Sequence, residues 1–175
     1  MPNIRPEEIK IEKLGKEHDI KGFQCYEKEL VKFLNEDALD NQDKRISMTY
    51  LWFLKETNEI IGYFTLLNDK INLEGNLKKY FNDKNIKYSN LPSLKIARLA
   101  VDNRFLRRGL GTLMIEYIVR RAKFISIKIA GCRFVTVDAK KNSIPFYLKN
   151  EFKIFKEEKD TIFMHLDVTH QILQS

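Results

Sequence analysis

The sequence predicts a mixed α/β fold, with a single domain over residues 1–175 built around one sheet. Its length of 175 residues is enough to bury one substantial core. Hydrophobic residues make up 43% and charged residues 31%, close to the composition of ordinary globular proteins. Segments that alternate like strands are interleaved with segments whose apolar residues recur at helical spacing. The predicted order is β-α-β-β-(loop)-β-α-β-α-β-β, with no internal repeat.

The first half of the chain contains one predicted helix and three predicted strands. Residues 9–15 alternate and end in glycine, which indicates a strand. Residues 26–39 carry apolar side chains at the spacing of an amphipathic helix, and residues 40–46 form a polar connection. Two apolar runs, at 48–55 and 60–68, are separated by a polar turn and predict an antiparallel hairpin.

The second half begins with the least regular stretch, residues 69–93, which predicts either a short helix or a long loop. A connection of this length often covers a site, but a tolerated surface insertion explains it equally well. A strand at 93–102 then leads to a helix at 109–124. The remaining segments are predicted as a strand at 133–139, a short helix at 142–150, two strands at 152–158 and 161–168, and a loose tail at 169–175.

Composition limits the classes of protein. The net charge of +7 favours phosphate-rich partners such as nucleotides, coenzyme A or RNA, although a lysine-rich proteome would also produce it. No apolar run approaches the roughly 20 residues of a membrane span, and the N-terminus lacks the apolar core of a signal peptide. Cys25 and Cys132 form no Cys-x-x-Cys pair, so we expect reduced thiols in the cytoplasm. His18, His165 and His170 do not have the spacing of zinc ligands.

The strongest functional signal is the junction between the strand that ends near Val101 and the helix that follows it. A short basic loop opens this helix with Gly109 and Gly111. The first N–H groups of a helix have no partner within the helix and carry partial positive charge, so they bind anions. The candidate binding residues are Leu99, Ala100, Val101, Arg107, Arg108, Gly109, Leu110, Gly111 and Thr112.

Two common nucleotide-binding motifs do not fit this loop. The dinucleotide motif Gly-x-Gly-x-x-Gly would place a third glycine at position 114, where the chain has Met114. The Walker loop requires Gly-Lys-Ser/Thr, which the sequence lacks.

Three segments together resemble the GNAT superfamily of N-acetyltransferases. They are Arg98–Thr112, the hairpin residues Ile61-Gly62-Tyr63-Phe64, and Asn142–Phe152. The resemblance implies a mostly antiparallel twisted sheet flanked by helices, with a splayed central strand pair at the cofactor site. It also implies acetyl-CoA as co-substrate, with the strand backbone along the pantetheine arm and the loop amides on the pyrophosphate. Asn142 would either contact the coenzyme or act as a helix N-cap.

Two positions depart from the family pattern. Leu106 stands where the family usually has Gln or Arg, three residues before the first glycine. Backbone amides carry most of the phosphate binding, so Leu106 weakens the match without excluding it. Glu151 stands where the family has glycine before Phe152, which predicts a changed turn but leaves Tyr147 in place.

The chemistry implied by this resemblance needs a neutral amine, a donor for the oxyanion and an acid for the leaving thiolate. A strand N–H near Val101 could supply the donor. A tyrosine hydroxyl suits a thiol leaving group, so Tyr147 is the candidate general acid; the alternative is a core aromatic beside Phe146. The first helical region carries four acidic residues, but a solvated helix face explains them as well as a general base does: Glu27, Glu29, Glu36 and Asp37.

Within the superfamily, the chain resembles the branch that contains bacterial tRNA-acetylating toxins. The resemblance rests on Phe23–Leu34, Ile61–Leu66 and Pro92–Val101. It implies the α-amine of aminoacyl-tRNA as acceptor, a ribbon-helix-helix antitoxin as partner, and a homodimer. Alternatives are a housekeeping acetyltransferase for small amines or proteins, a non-catalytic acetyl-CoA-sensing domain, and an RNA-binding module without transferase activity.

Overall fold

The computed structural model describes residues 3–169, in which seven strands and five α-helices are formed. The strands are β1 (Ile9–Lys13), β2 (Met48–Leu54), β3 (Ile60–Asn72), β4 (Asn90–Val101), β5 (Phe134–Lys140), β6 (Lys153–Glu157) and β7 (Thr161–Asp167). The helices are α1 (Lys28–Glu36), α2 (Ala38–Asp43), α3 (Gly75–Asp83), α4 (Leu110–Lys128) and α5 (Ile144–Lys149).

The strands form one sheet in the order β1-β2-β3-β4-β5-β7-β6. The pairs β1–β2, β2–β3, β5–β7 and β6–β7 are antiparallel. This mixed, mostly antiparallel sheet with flanking helices confirms the predicted fold class. The splay of a central strand pair stays a prediction.

The chain divides into two compact units. Unit 1 comprises Met1–Leu67 and Ile96–Tyr117, and unit 2 comprises Asn68–Lys95 and Ile118–Ser175. The predicted single domain stays a prediction, and the predicted tail at 169–175 lies outside the described residues except for Thr169. No helix within the described part of the chain is long and apolar enough to cross a membrane.

The prediction of one helix at 26–39 and a polar connection at 40–46 was wrong, because α1 ends at Glu36 and α2 continues to Asp43. The polar residue Gln42 is buried in α2, where its amide donates to Leu14 O (2.7 Å) and accepts from Thr49 N (3.3 Å). Burial of an amide costs little free energy when both of its polar atoms are hydrogen-bonded. From the sequence alone, however, Gln42 is predicted to lie on the surface.

The irregular stretch at 69–93 contains α3 between two strands that are longer than predicted. Helix α3 is held by Phe81, which is fully buried with Ile71, Leu73 and Phe134 in the core of unit 2. Charged residues surround the few apolar residues of this segment, so the sequence shows only a weak helical periodicity. The core of unit 1 packs α1 and α2 on the sheet through Phe33, Leu34 and Ala38.

Candidate functional site

The loop after β4, in unit 1, is organised by the buried carboxylate of Asp102. Its Oδ1 accepts from Arg104 N (3.0 Å) and Nε (2.9 Å), and its Oδ2 accepts from Gln24 N (2.9 Å). Asn103 extends the contact by donating from its backbone N to Gln24 O (2.9 Å). One carboxylate therefore fixes both the start of the basic loop and the segment that precedes α1.

Replacement of Asp102 by Asn is expected to destabilise the fold most at neutral pH. Burial alone would raise the pKa of Asp102, but hydrogen bonds from Arg104 and from the amides of Gln24 and Arg104 hold it below its usual value. Ionised Asp102 therefore contributes stability above its unfolded pKa of about 3.9, and this is lost as pH falls through the lower folded pKa. We expect a loss of about 2 kcal/mol at pH 7, because hydrogen bonds to charged groups contribute about 1.5–3 kcal/mol. Denaturant unfolding at pH 7 and pH 3 measures it; equal losses at both would contradict the assignment.

The backbone of the loop takes two left-handed turns before α4 begins. Arg107 has φ 59° and Gly109 has φ 78°, a region that costs an ordinary residue about 1–2 kcal/mol. A Cβ built on Gly109 would come no closer than 3.8 Å to another atom, the side-chain carbon of Asn3. Conformation, rather than crowding, is therefore what requires glycine at position 109.

The mouth of α4 presents amides toward this loop. Leu113 N donates to Gly109 O (3.1 Å), so the amides of Leu110, Gly111 and Thr112 lie ahead of the intrahelical hydrogen-bond ladder. Arg108 lies over the Phe105 ring, with 5.6 Å from its Cζ to the ring centroid. These amides and the adjacent arginines form a cradle suited to a pyrophosphate.

A glycine on the neighbouring strand brings α4 close to the sheet in unit 1. A Cβ on Gly62 of β3 would lie 2.7 Å from Ala100 O and would also clash with Met114 Cε. A dinucleotide fold would use the third motif glycine for close helix–strand packing. In this chain, which lacks that motif, Gly62 leaves the room that the Met114 side chain of α4 occupies against the sheet.

Tyr147 lies in unit 2, on α5, and is 6% exposed. Its ring packs edge-on against Phe146 (5.0 Å between centroids) and Phe152 (5.3 Å). Burial raises the pKa of Tyr147 well above its usual 10. The hydroxyl is therefore protonated throughout the physiological range, as a proton donor must be.

The turn after Tyr147 keeps its geometry despite the missing glycine. Glu151 has φ 67°, and Phe152 N donates to Tyr147 O (3.0 Å), the hydrogen bond of a Schellman C-cap. Glycine is favoured at the left-handed position of this cap. Glutamate therefore adopts the left-handed conformation that glycine favours at this position, and a difference from the family's turn stays a prediction.

The candidate residues divide between the units. Leu99, Ala100, Val101 and the loop residues through Thr112 lie in unit 1, while Asn142 and Tyr147 lie in unit 2. Asn142 is exposed, and Ser143, not Asn142, is the N-cap residue of α5, so the N-cap interpretation was wrong. Its role in coenzyme binding stays a prediction.

Sequence reasoning missed the part that the N-terminal segment plays at this loop. Ile4 N donates to Arg108 O (3.2 Å), and Asn3 faces Gly109. No spacing pattern signals a contact between residues so far apart in the chain.

Comparison with known proteins places this fold and loop in one family. The model of the acetyltransferase (GNAT) domain matches residues 47–154, which include β2 to β5 and the candidate loop. Among solved structures, a tyrosine-to-phenylalanine mutant of KacT superposes with a TM-score of 0.79 at 25% identity, covering 93% of this chain and 96% of that one. AtaT complexed with acetyl-methionyl-tRNAfMet gives a TM-score of 0.80 at 21% identity, covering 93% and 96%.

The chain therefore belongs to the GNAT acetyltransferase family. It is an N-acetyltransferase that uses acetyl-CoA as co-substrate, as expected of this family. The structures it resembles include the toxins AtaT and KacT, among them AtaTR bound with acetyl-CoA (TM-score 0.78, 22% identity, covering 94% of this chain and 96% of that one).

Proposed function

We propose that this protein transfers the acetyl group of acetyl-CoA to the α-amine of an aminoacyl-tRNA, as a toxin of a toxin–antitoxin pair. The observation that carries the proposal is the likeness, over 93% of the chain, to AtaT complexed with acetyl-methionyl-tRNAfMet. The net charge of +7 supports it, because RNA binding draws most of its affinity from phosphate contacts.

In the proposed reaction the α-amine attacks the thioester carbonyl, the N–C bond forms and the C–S bond breaks. Loop amides ahead of α4 hold the pyrophosphate, with Arg107, Arg108 or both adding charge at its edge. A backbone N–H near Val101 stabilises the oxyanion. Tyr147 gives its proton to the departing thiolate, and the amine loses its own proton to solvent.

The proposed reaction assigns no residue as general base, and an α-amine acceptor is consistent with this. The pKa of an α-amine is near 8, so a useful fraction is neutral at pH 7, whereas a lysine side chain with pKa near 10.4 is almost entirely charged. An α-amine can therefore react without a dedicated base.

The proposed partners follow the same comparison. AtaT has been solved with the C-terminus of its antitoxin AtaR, and KacT with its antitoxin in a DNA complex. We propose a ribbon-helix-helix antitoxin as the partner of this chain, a homodimer as its assembly and the cytoplasm as its compartment. Both cysteines are present as thiols, which fits a reducing compartment.

The acceptor is tested by supplying acetyl-CoA with one class of amine at a time. The panel contains aminoacyl-tRNA, deacylated tRNA, ribosomal proteins and small primary amines. We expect labelled acetyl to enter only aminoacyl-tRNA. Transfer to proteins or small amines alone would indicate a housekeeping enzyme, and acetyl-CoA binding without any transfer would indicate a sensing domain. Either result contradicts the proposal.

A further inference from the structure

A cavity of about 1150 Å³ lies in unit 2 between α3 and the strands β5, β6 and β7. We call it the α3 pocket. Its walls include the rings of Tyr80 on α3, Phe134 on β5 and Phe155 on β6. None of the residues proposed above for the acetyl-CoA site or for proton donation lines it. Phe134 is fully buried, but the rings of Tyr80 and Phe155 are accessible, and accessible rings at a cavity of this size suit a flat ligand that can stack on them.

His165 gives the α3 pocket a polar group that the fold does not use. Its side chain lines the cavity and is 7% exposed, and its Nδ1 has no hydrogen-bond partner among residues 3–169. The imidazole is held edge-on by Phe134 (5.2 Å between centroids) and Phe155 (5.8 Å). A buried polar atom without a partner costs stability unless a ligand satisfies it.

Charged groups surround these rings. The charged residues that line the pocket are Glu74, Glu151, Lys153, Lys156 and Asp167. Asp167 is neutralised by Arg133, which donates from Nη2 at 2.7 Å and from Nε at 3.1 Å. Glu74 lies 4.0 Å from Lys156, and both are largely exposed, so this ion pair contributes little. Lys156 and the exposed Lys153 can therefore turn to an anionic ligand.

The exposed side of α3 and the residues after it extend the positive charge. Lys78, Lys79 and Lys87 are exposed there. Lys84 Nζ lies 5.0 Å from the centroid of the Tyr80 ring, which places a cation beside a pocket ring. Lysines interleaved with aromatic rings are the combination by which proteins hold single-stranded nucleic acid, with cations on phosphates and rings on bases.

We propose that the α3 pocket binds an unpaired nucleotide of RNA, with the base against Tyr80 and Phe155 and the phosphates against Lys153 and Lys156. His165, whose Nδ1 is buried without a partner among residues 3–169, packs edge-on against Phe155 behind this base site. The inference rests on the proposed function for the identity of the RNA, the acceptor tRNA. It gives residues 69–93 a role, because α3 supplies one wall of the pocket.

The test uses the full chain and a labelled single-stranded RNA octamer, without acetyl-CoA, and follows fluorescence anisotropy across a range of salt. Tyr80→Leu is compared with Tyr88→Leu, a matched control in which a 71% exposed ring outside the pocket is removed. Lys153→Gln with Lys156→Gln is compared with Lys159→Gln, an exposed lysine in the β6–β7 turn.

Tyr80→Leu is expected to weaken octamer binding about tenfold, the loss of one stacked base, while Tyr88→Leu leaves it unchanged. The double lysine variant is expected to reduce the slope of log K against log salt by about 1.4. Equal losses in the paired controls would indicate diffuse charge and overturn the pocket. An acidic peptide or a second copy of the chain that protects the pocket while the octamer does not would also overturn it.

The two proposals fail separately. If octamer binding depends on Tyr80 but aminoacyl-tRNA is not acetylated, nucleotide binding in the pocket is supported and the proposed acceptor is contradicted. If wild type and Tyr80→Leu acetylate aminoacyl-tRNA with the same kcat/KM, the proposed acceptor is supported and nucleotide binding in the pocket is contradicted.

Discussion

Tyr147→Phe is expected to lower kcat about a hundredfold or more while leaving the Kd for acetyl-CoA unchanged, because it removes only the proton donor. The phenyl ring keeps its edge-on contacts with Phe146 and Phe152, so the fold is retained. Single-turnover kinetics and a coenzyme titration separate the two quantities. The matched control is Tyr63→Phe, another buried tyrosine, whose hydroxyl donates to Leu30 O (2.7 Å).

Tyr63→Phe is expected to cost about 1 kcal/mol of stability and to keep turnover near wild type. Full turnover by Tyr147→Phe would instead show that solvent protonates the thiolate. The pH profile gives a second check: because burial raises the pKa of Tyr147, ionisation of its hydroxyl cannot lower the rate below pH 10. The rate is expected to rise through the α-amine pKa near 8 and then level.

Gly109→Val is expected to weaken acetyl-CoA binding about 5- to 30-fold, because a side chain at φ 78° costs about 1–2 kcal/mol and displaces the loop amides. Isothermal titration with acetyl-CoA measures the effect. Gly75→Val is the control: Gly75 also has a positive φ, 52°, with no atom within 4 Å of its built Cβ, but it begins α3. The control imposes similar backbone strain away from the loop.

If Gly75→Val weakens coenzyme binding as much as Gly109→Val, the loss reflects general destabilisation. If neither variant changes the affinity, the loop before α4 does not hold the pyrophosphate. Both results contradict the assignment, and only a loss specific to Gly109→Val supports it.

The strand–loop–helix junction could be predicted from sequence because its requirements are local. Gly109 is needed for its φ, and the helix mouth follows from where α4 begins. Strand alternation likewise predicted which segments form strands and their order along the chain. These features depend on residues a few positions apart.

Features that depend on contacts between residues distant in the chain could not be predicted from the sequence. The sequence places Gln42 in a polar loop, and only the structure shows that its amide forms hydrogen bonds with Leu14 and Thr49. Asp102 reads as a turn residue until Gln24, far along the chain, donates to it. The contact of Met114 with Gly62 is equally non-local. Spacing and composition carry no trace of such pairings.

Transfer of the acetyl group to the α-amine of an aminoacyl-tRNA is checked by finding which product carries the label. Aminoacyl-tRNA is incubated with the protein and labelled acetyl-CoA, the ester is hydrolysed at mildly basic pH, and the products are identified by mass spectrometry. We expect all of the label to be recovered as free N-acetyl-amino acid, and Tyr147→Phe to yield about a hundredth of that amount or less on the same timescale. Label retained on the RNA, or found only on protein lysines, would contradict it.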